Sequence, residues 1–171
     1  MLFPFPVERK VTSMKPLKVT SDTPKSGVIV HNPELCRGCF ICELACSAYH
    51  EGECSSFLSR IHVNAKDLDL EFPAVVCAQC SSPSCYFACP LKDSALCVDP
   101  GTNMPYINED ECTGCGECAQ ACPLPAKPIW SKQNGTFFKC DLCRGRKGGP
   151  ICVEMCPRGA LTFVARGKRN E

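Results

Sequence analysis

The sequence predicts an α+β fold whose core is partly inorganic, and two observations support this prediction. Cysteine supplies 18 of the 171 residues, a share at which disulfides or bound metal replace part of an apolar core. Sixteen of these cysteines fall into four short runs, and short apolar segments typical of strands precede the runs. The repeated order of strand, ligand loop and helix predicts small strands and short helices around bound metal.

The four cysteine runs share one spacing. Two residues separate the first two cysteines of each run, and three residues separate the last two. The runs are Cys36, Cys39, Cys42 and Cys46; Cys77, Cys80, Cys85 and Cys89; Cys112, Cys115, Cys118 and Cys122; and Cys140, Cys143, Cys152 and Cys156. Three closely spaced thiolates suit one [4Fe-4S] cluster, while the fourth, followed by proline in three of the runs, suits a second cluster. The sixteen ligands therefore predict four [4Fe-4S] clusters.

Zinc and disulfide bonds are the alternative explanations of so many cysteines. A four-cysteine zinc site needs two separated pairs of ligands, whereas the runs that begin at Cys36 and Cys112 offer three thiols at successive spacings of two residues. Disulfides form in oxidising compartments, and the first ten residues lack the basic and apolar segments of a secretion signal. We therefore expect a cytoplasmic protein whose cysteines bind iron–sulfur clusters.

Charge and hydropathy exclude two classes of partner. The formal net charge is +1, and four bound clusters, each about −2 together with its thiolates, bring the holoprotein to about −7. A chain of that charge is poorly suited to bind nucleic acid. No apolar run approaches the ~20 residues that span a bilayer, so we expect no direct membrane insertion.

The first half of the chain predicts an arm, three strands and one helix. Residues 1–26 contain four prolines and no sustained periodicity, which indicates either a disordered tail or an extension that packs on a partner subunit. Strands are predicted at residues 27–31, 59–64 and 72–76. A helix is predicted at residues 42–49, where Ser47 takes the position that proline has after the other runs.

The second half predicts two more strand segments and a hairpin. These elements lie at residues 104–108, at a hairpin of residues 129–138 with an Asn134-Gly135 turn, and at residues 161–165 before a polar tail at residues 166–171. In the third run, Gly114 and Gly116 allow the backbone to approach a cluster closely.

The basic loop, the two remaining cysteines and the three histidines lie outside the four runs, and none of them is predicted to bind a cluster. The basic loop at residues 144–150 has two alternative interpretations. It is a solvated surface loop, or it has a function, either as a docking surface or as a positive charge that raises the potential of a cluster. Cys54 and Cys97 are predicted to be buried free thiols. Three histidines lack ligand spacing from any run and are predicted to be structural: His31, His50 and His62.

Two motifs resemble those of a known family. They are Cys77-Ala78-Gln79-Cys80 followed by Pro83 and Cys85, and Lys139-Cys140-Asp141-Leu142-Cys143 followed by residues 150–161. Both are similar to motifs of four-cluster iron–sulfur subunits of molybdenum and tungsten oxidoreductases. This family includes subunits of formate dehydrogenase, dimethyl sulfoxide reductase, formate hydrogenlyase, tungsten aldehyde oxidoreductases and related ring-reducing enzymes. The resemblance covers residues 28–165.

The resemblance implies a fold of two pseudo-symmetric, ferredoxin-like α+β modules. Each module would hold two [4Fe-4S] clusters, and one module would be inserted in the other. The implied boundaries are residues 27–72 plus 136–165 for the outer module and residues 73–135 for the inserted module, with an arm at 1–26 and a tail at 166–171.

The same resemblance implies which cysteines share a cluster. The implied ligand sets are quartet A (Cys36, Cys39, Cys42 and Cys156), quartet B (Cys46, Cys140, Cys143 and Cys152), quartet C (Cys77, Cys80, Cys85 and Cys122) and quartet D (Cys89, Cys112, Cys115 and Cys118). From the residues alone, loop lengths slightly favour a consecutive pairing of the third run with the fourth. Pairing of the end strands, at residues 27–31 and 161–165, would instead favour this nested arrangement.

The predicted function is electron transfer within an oxidoreductase complex. The resemblance implies a relay between a catalytic subunit that carries pterin-bound molybdenum or tungsten and an external donor or acceptor, such as ferredoxin or a flavin subunit, in anaerobic metabolism. The sequence contains no nucleophile triad, phosphate-binding loop or paired-carboxylate signature, so it predicts no catalytic residue. The alternative is an accessory polyferredoxin that acts in the maturation of a hydrogenase or formate dehydrogenase.

Overall fold

A computed structural model describes residues 27–65 and 71–166 of the chain. Within these residues the backbone forms eight short strands, paired two by two, and four α-helices. The α+β class predicted from the sequence is confirmed. The predicted arm at residues 1–26 lies outside the described residues, as does the predicted tail beyond residue 166.

The strands form four antiparallel pairs. They are β1 (Gly27–His31) with β8 (Leu161–Ala165), β2 (Ile61–Val63) with β3 (Ala74–Val76), β4 (Leu96–Val98) with β5 (Pro105–Ile107), and β6 (Ile129–Ser131) with β7 (Phe137–Lys139). The helices are α1 (Ile41–Glu51), α2 (Ser84–Ala88), α3 (Glu117–Gln120) and α4 (Ile151–Glu154), with 3-10 helices at Ser56–Leu58 and Glu109–Glu111. None of the helices in the described ranges is long and apolar enough to cross a membrane.

The pair formed by β1 and β8 joins the two ends of the described chain. Gly27 lies opposite Ala165 and His31 lies opposite Leu161, so every residue of one strand has a partner in the other. The inward-facing Ile29 and Leu161 are both buried in the larger core. This pairing confirms the predicted association of the end strands, and it brings the chain that follows the fourth run back to the chain that precedes the first.

Helix α1 explains why serine replaces proline after the first run. The helix continues past Cys46 to Glu51, where a proline would remove a backbone donor and break it. Ser47 is fully buried, and its hydroxyl donates to the Leu44 carbonyl at 3.1 Å and accepts from the Ser55 amide at 2.9 Å. The chain therefore leaves the first run through a full helix that is slightly longer than predicted at both ends.

The observed strands differ from the predicted ones at several places, and β3 and β5 are each two residues shorter than predicted. The strand predicted at residues 59–64 is reduced to β2, because Arg60 directs its amide to the sulfur of Cys46 at 3.3 Å. Strand β4 was not predicted, since its three residues show no alternation of apolar and polar side chains. The hairpin of β6 and β7 is confirmed, and Gly135 in its turn has the left-handed φ of 87°.

The apolar core is divided into two clusters, and both contain cysteines. The larger cluster includes Ile29, Ile61 and Val63 together with five buried cysteines, and the smaller one combines Leu96 and Ile129 with two. Thiols thus make up about half of each core. The candidate ligands are therefore inside the fold, where their contacts decide how the chain packs.

A network of four charges links segments that are far apart in the chain. Arg60 donates to Glu51 at 2.9 Å and to Glu109 at 2.7 Å, and the Lys132 ammonium lies 2.5 Å from each of the same two carboxylates. Both cations lie near the ring of the buried Phe138, at 5.3 and 5.7 Å. The network therefore ties α1 and the loop before β2 to the 3-10 helix Glu109–Glu111 and the hairpin loop after β6.

Candidate iron–sulfur cluster sites

Three cavities in the fold are each lined by four cysteines. Each cavity takes three cysteines from one run and a fourth from another, and the sets are those of quartets A, C and D. The empty volumes, open in part to solvent, are about 390, 340 and 340 Å³. Across residues 27–65 and 71–166, no three His, Cys, Asp or Glu side chains converge closely enough to hold a single metal ion.

The cysteines of quartet B are buried together and line none of these three cavities. All four have between 4% and 6% of their surface exposed. Burial raises the pKa of Cys143 and Cys152, and the proximity of Cys46 raises both pKa values further. Cys46 and Cys152 are carried by α1 and α4, which pack against each other. The structure thus brings cysteines of the first and fourth runs together a second time.

Backbone amides donate to the sulfur atoms of several of the sixteen cysteines, and five of these contacts measure between 3.2 and 3.5 Å. The donors are Arg60 to Cys46 at 3.3 Å, Leu142 to Cys140 at 3.4 Å, Ile151 to Cys143 at 3.5 Å, Ala160 to Cys156 at 3.2 Å and Phe137 to Cys112 at 3.4 Å. Three of the five serve quartet B. Such donors stabilise charge on sulfur and raise the potential of a bound cluster.

Burial makes these thiols difficult to ionise unless a metal is bound. It raises the pKa of Cys42 and Cys143 to about 12 and that of Cys118 to about 11, and it raises the pKa of Cys140 well above the usual value. A positive charge close to sulfur would favour the thiolates, and iron supplies that charge on coordination. Four thiols around one cavity, with amide donors to sulfur, therefore fit a [4Fe-4S] cluster. Binding of the cluster releases the thiol protons.

Gly114 positions the loop of the third run. Its φ of 74° is left-handed, and a Cβ at this position would lie 2.5 Å from the Gly135 carbonyl oxygen. Gly135 belongs to the turn between β6 and β7, and the same hairpin supplies the Phe137 amide that donates to Cys112. The absence of a side chain at Gly114 thus allows the run to pack against the strand that stabilises its first sulfur.

The two cysteines outside the runs are not buried, so the prediction that they are buried thiols is wrong. Cys54 is exposed because it lies in the surface turn that follows α1. Cys97 is half-buried on β4, and its thiol donates to the Ser94 carbonyl at 3.2 Å. Neither belongs to a quartet.

His50 lies beside a predicted cluster ligand, a contact that was not predicted from the sequence. Its Nε2 is 3.7 Å from the sulfur of Cys143 and 3.4 Å from a carboxylate oxygen of Asp141. Burial lowers the pKa of His50 to about 4, an effect that the Asp141 carboxylate opposes. The detectable sequence signal was its position one helical turn after the last cysteine of the first run. His31 and His62 make packing and backbone contacts, as expected of structural residues.

The arginines of the basic loop are paired with acidic residues. Arg144 lies 3.6 Å from Asp99 and stacks over the ring of Tyr106 at 3.8 Å, and Arg146 lies 2.5 Å from Glu154. These pairs hold the two guanidinium groups against the surface of the fold. Much of the positive charge that the sequence assigns to this loop is therefore neutralised locally.

Comparison with known proteins gives one family match and several relatives. Residues 68–166 match the family model described as a 4Fe-4S dicluster domain. The polyferredoxin-like subunit of the aliphatic sulfonate oxidoreductase of Pyrococcus furiosus is 39% identical over 130 residues, which are 75% of this chain and 70% of that subunit. The electron transport protein HydN of Escherichia coli is 34% identical over 164 residues, with 84% of this chain and 90% of HydN covered. The Escherichia coli protein AegA is 35% identical over 146 residues, but the chain spans only 21% of AegA.

Among solved structures, the fold is similar to a chain of the BamBC active-site complex of benzoyl-coenzyme A reductase with zinc. The TM-score is 0.52 at 24% sequence identity, with 85% of this chain and 82% of that chain covered. At this identity the likeness shows a shared fold. Together with the relatives, the family match confirms the resemblance to iron–sulfur subunits of oxidoreductases that the motifs predicted.

Proposed function

The chain belongs to the 4Fe-4S dicluster domain family, and from this membership we propose that it carries four [4Fe-4S] clusters between a catalytic redox subunit and an external electron carrier. It is an iron–sulfur electron-transfer protein, and HydN, a relative of nearly the same extent, is named an electron transport protein. The observation that carries the proposal is the set of three cavities, each lined by three cysteines of one run and one of another.

We propose quartets A to D as the ligand sets of the four clusters, and we propose no catalytic residue. Quartets A, C and D are supported by the cavities that their members line. Quartet B is supported by the common burial of its members, by the packing of α1 on α4, and by three amide donors to its sulfur atoms. When bound, a [4Fe-4S] cluster exchanges one electron at a time, and four cysteine ligands leave it no open coordination position.

Two nested modules follow from these quartets. The outer module comprises residues 27–72 and 136–165, and the inserted module comprises residues 73–135. The pairing of β1 with β8 and the position of Cys156 beside the first run support the outer module. The network of Arg60, Glu51, Glu109 and Lys132 then acts as a clamp between the modules, because each module contributes one cation and one carboxylate.

The exposure of the ligand cysteines supports a linear order of the four clusters, in which quartets A and D lie at the ends and quartets B and C lie between them. Among the sixteen cysteines, all of which the structure describes, Cys39 and Cys115 are exposed. Cys39 belongs to quartet A and Cys115 to quartet D, whereas quartets B and C contain no exposed member. Electrons therefore enter and leave at quartets A and D, where a partner can approach an exposed ligand sulfur, whereas the ligands of quartets B and C are buried or half-buried.

The proposed partner is the catalytic subunit of an oxidoreductase, bearing molybdenum or tungsten bound to a pterin. This assignment is supported by relatives whose names describe subunits of an aliphatic sulfonate oxidoreductase and of an anaerobic dimethyl sulfoxide reductase. The external carrier is a ferredoxin or a flavin subunit. We propose a cytoplasmic location, because a chain with 18 cysteines needs a reducing compartment to keep its thiols available for iron.

Anaerobic purification of the tagged chain from its native cells tests this function. We expect a large redox subunit to co-purify at fixed stoichiometry and native mass spectrometry to identify its metal and pterin. A tagged two-cluster ferredoxin from the same cells serves as the control for adventitious binding. Recovery of the chain alone, or with a substoichiometric maturation factor, would favour the accessory polyferredoxin instead.

A further inference from the structure

Lys139 is a cation buried at the end of strand β7, directly before Cys140. Only 2% of its surface is exposed. Its ammonium donates to the backbone carbonyl of Cys140 at 3.0 Å and to that of Pro105. The preceding Phe138 is also buried, so both faces of this short strand point into the protein. The side chain of Lys139 therefore cannot reach water as most lysines do.

No carboxylate in the described part of the chain forms an ion pair with Lys139. The contrast is Arg60, a second buried cation, which pairs with Glu51 at 2.9 Å and with Glu109 at 2.7 Å. A buried charge without a counter-charge is strongly unfavourable, and two carbonyl dipoles compensate it only in part. The folded chain thus contains a positive charge whose negative partner is not a side chain among the described residues.

The surroundings of Lys139 show where a negative charge would have to be. Cys140 belongs to quartet B, and Pro105 lines the cavity of quartet C. The Cys140 carbonyl also accepts a hydrogen bond from the side-chain amide of Gln79 at 2.7 Å, and Gln79 lies between two cysteines of quartet C. The ammonium is therefore held between the backbone carbonyl of a quartet B cysteine and that of a residue that lines the cavity of quartet C.

We propose that the Lys139 ammonium is the shared counter-charge of the clusters at quartets B and C and raises the reduction potentials of both. A cluster with four thiolates carries about −2, and about −3 after it accepts one electron without a proton. A fixed positive charge stabilises the more negative form, so its effect favours reduction. The inference rests on the proposed quartets. It assigns to Lys139 the role of making the inner clusters better electron acceptors than they would otherwise be.

Potentiometric titration of the anaerobic holoprotein with dithionite, followed by electron paramagnetic resonance, measures this effect. Lys139→Met removes the charge and keeps much of the side-chain volume, and Lys139→Gln is a second variant that can still donate a hydrogen bond. The control is Lys127→Met, which removes an exposed lysine whose ammonium lies 3.5 Å from the Gln120 carbonyl. Iron content, about sixteen atoms per wild-type chain, is determined for every sample.

We expect two of the four couples to become harder to reduce in Lys139→Met, by about tenfold in the equilibrium constant, or about 59 mV for one electron. The same two couples should shift in Lys139→Gln and remain unchanged in Lys127→Met. The inference would be overturned by unchanged potentials in Lys139 variants that retain their full iron content. Loss of iron from both Lys139 variants would also overturn it, because Lys139 would then be a structural residue. Wild-type iron well below sixteen would instead count against the quartets themselves.

Discussion

Removal of iron and sulfide from the holoprotein is expected to unfold it. About half of each core consists of thiols, and the strand pairs other than β1–β8 are three residues long. Structural metal sites in small domains contribute on the order of 10 kcal/mol to folding, which is comparable with the whole stability of a domain. Without the clusters, little apolar surface is left to offset the entropy of the ordered chain.

The measurement is far-UV circular dichroism and amide NMR before and after anaerobic chelation, with iron-saturated chelator as the control. We expect the dispersed spectrum to collapse on chelation and to return when iron and sulfide are reconstituted. A chelated protein that still unfolds cooperatively in urea would contradict the account, because the fold would then be stable without its proposed ligands in place.

Replacing Cys156 by alanine is expected to damage a cluster more than one hundred residues away in the sequence. Cys156 lines the cavity of Cys36, Cys39 and Cys42, and its sulfur accepts the Ala160 amide at 3.2 Å. Loss of one ligand from a quartet should release up to about four of about sixteen iron atoms. The thiols of quartet A should then become reactive while quartet D stays protected.

Alkylation of the folded variant, followed by peptide mass spectrometry, reads out which thiols are released. In Cys156→Ala we expect labelling of Cys36, Cys39 and Cys42 and continued protection of Cys112, Cys115 and Cys118. The matched control is Cys54→Ala, which removes an exposed cysteine that belongs to no quartet and should leave the iron content unchanged. Labelling of the third run in place of the first would refute the nested pairing.

Local patterns in the sequence predicted most of the framework. Short apolar segments identified β1 and β8 at their full length, and Asn134-Gly135 identified the hairpin of β6 and β7. These features are fixed by nearest neighbours, so a single sequence contains them. The association of β1 with β8 was also correct, because two apolar end strands gain by covering each other's edges.

Features that depend on distant contacts were missed. The spacing of Cys54 from the first run gave no hint that α1 would end in an exposed turn at that point. The basic loop at residues 144–150 attracted attention as a source of charge, but its arginines are paired with acidic residues. The buried charge is Lys139, and its ammonium donates to the carbonyl of Pro105, which is remote in sequence. No local pattern could have distinguished it from a surface lysine.

Anomalous diffraction at the iron absorption edge, from crystals of the anaerobic holoprotein, tests the central claim most directly. The account predicts four separate groups of iron, one enclosed by each of quartets A to D, with the sulfur of Cys156 bound to the group that Cys36, Cys39 and Cys42 hold. Fewer than four groups, or Cys156 bound to the group at Cys112, Cys115 and Cys118, would contradict it.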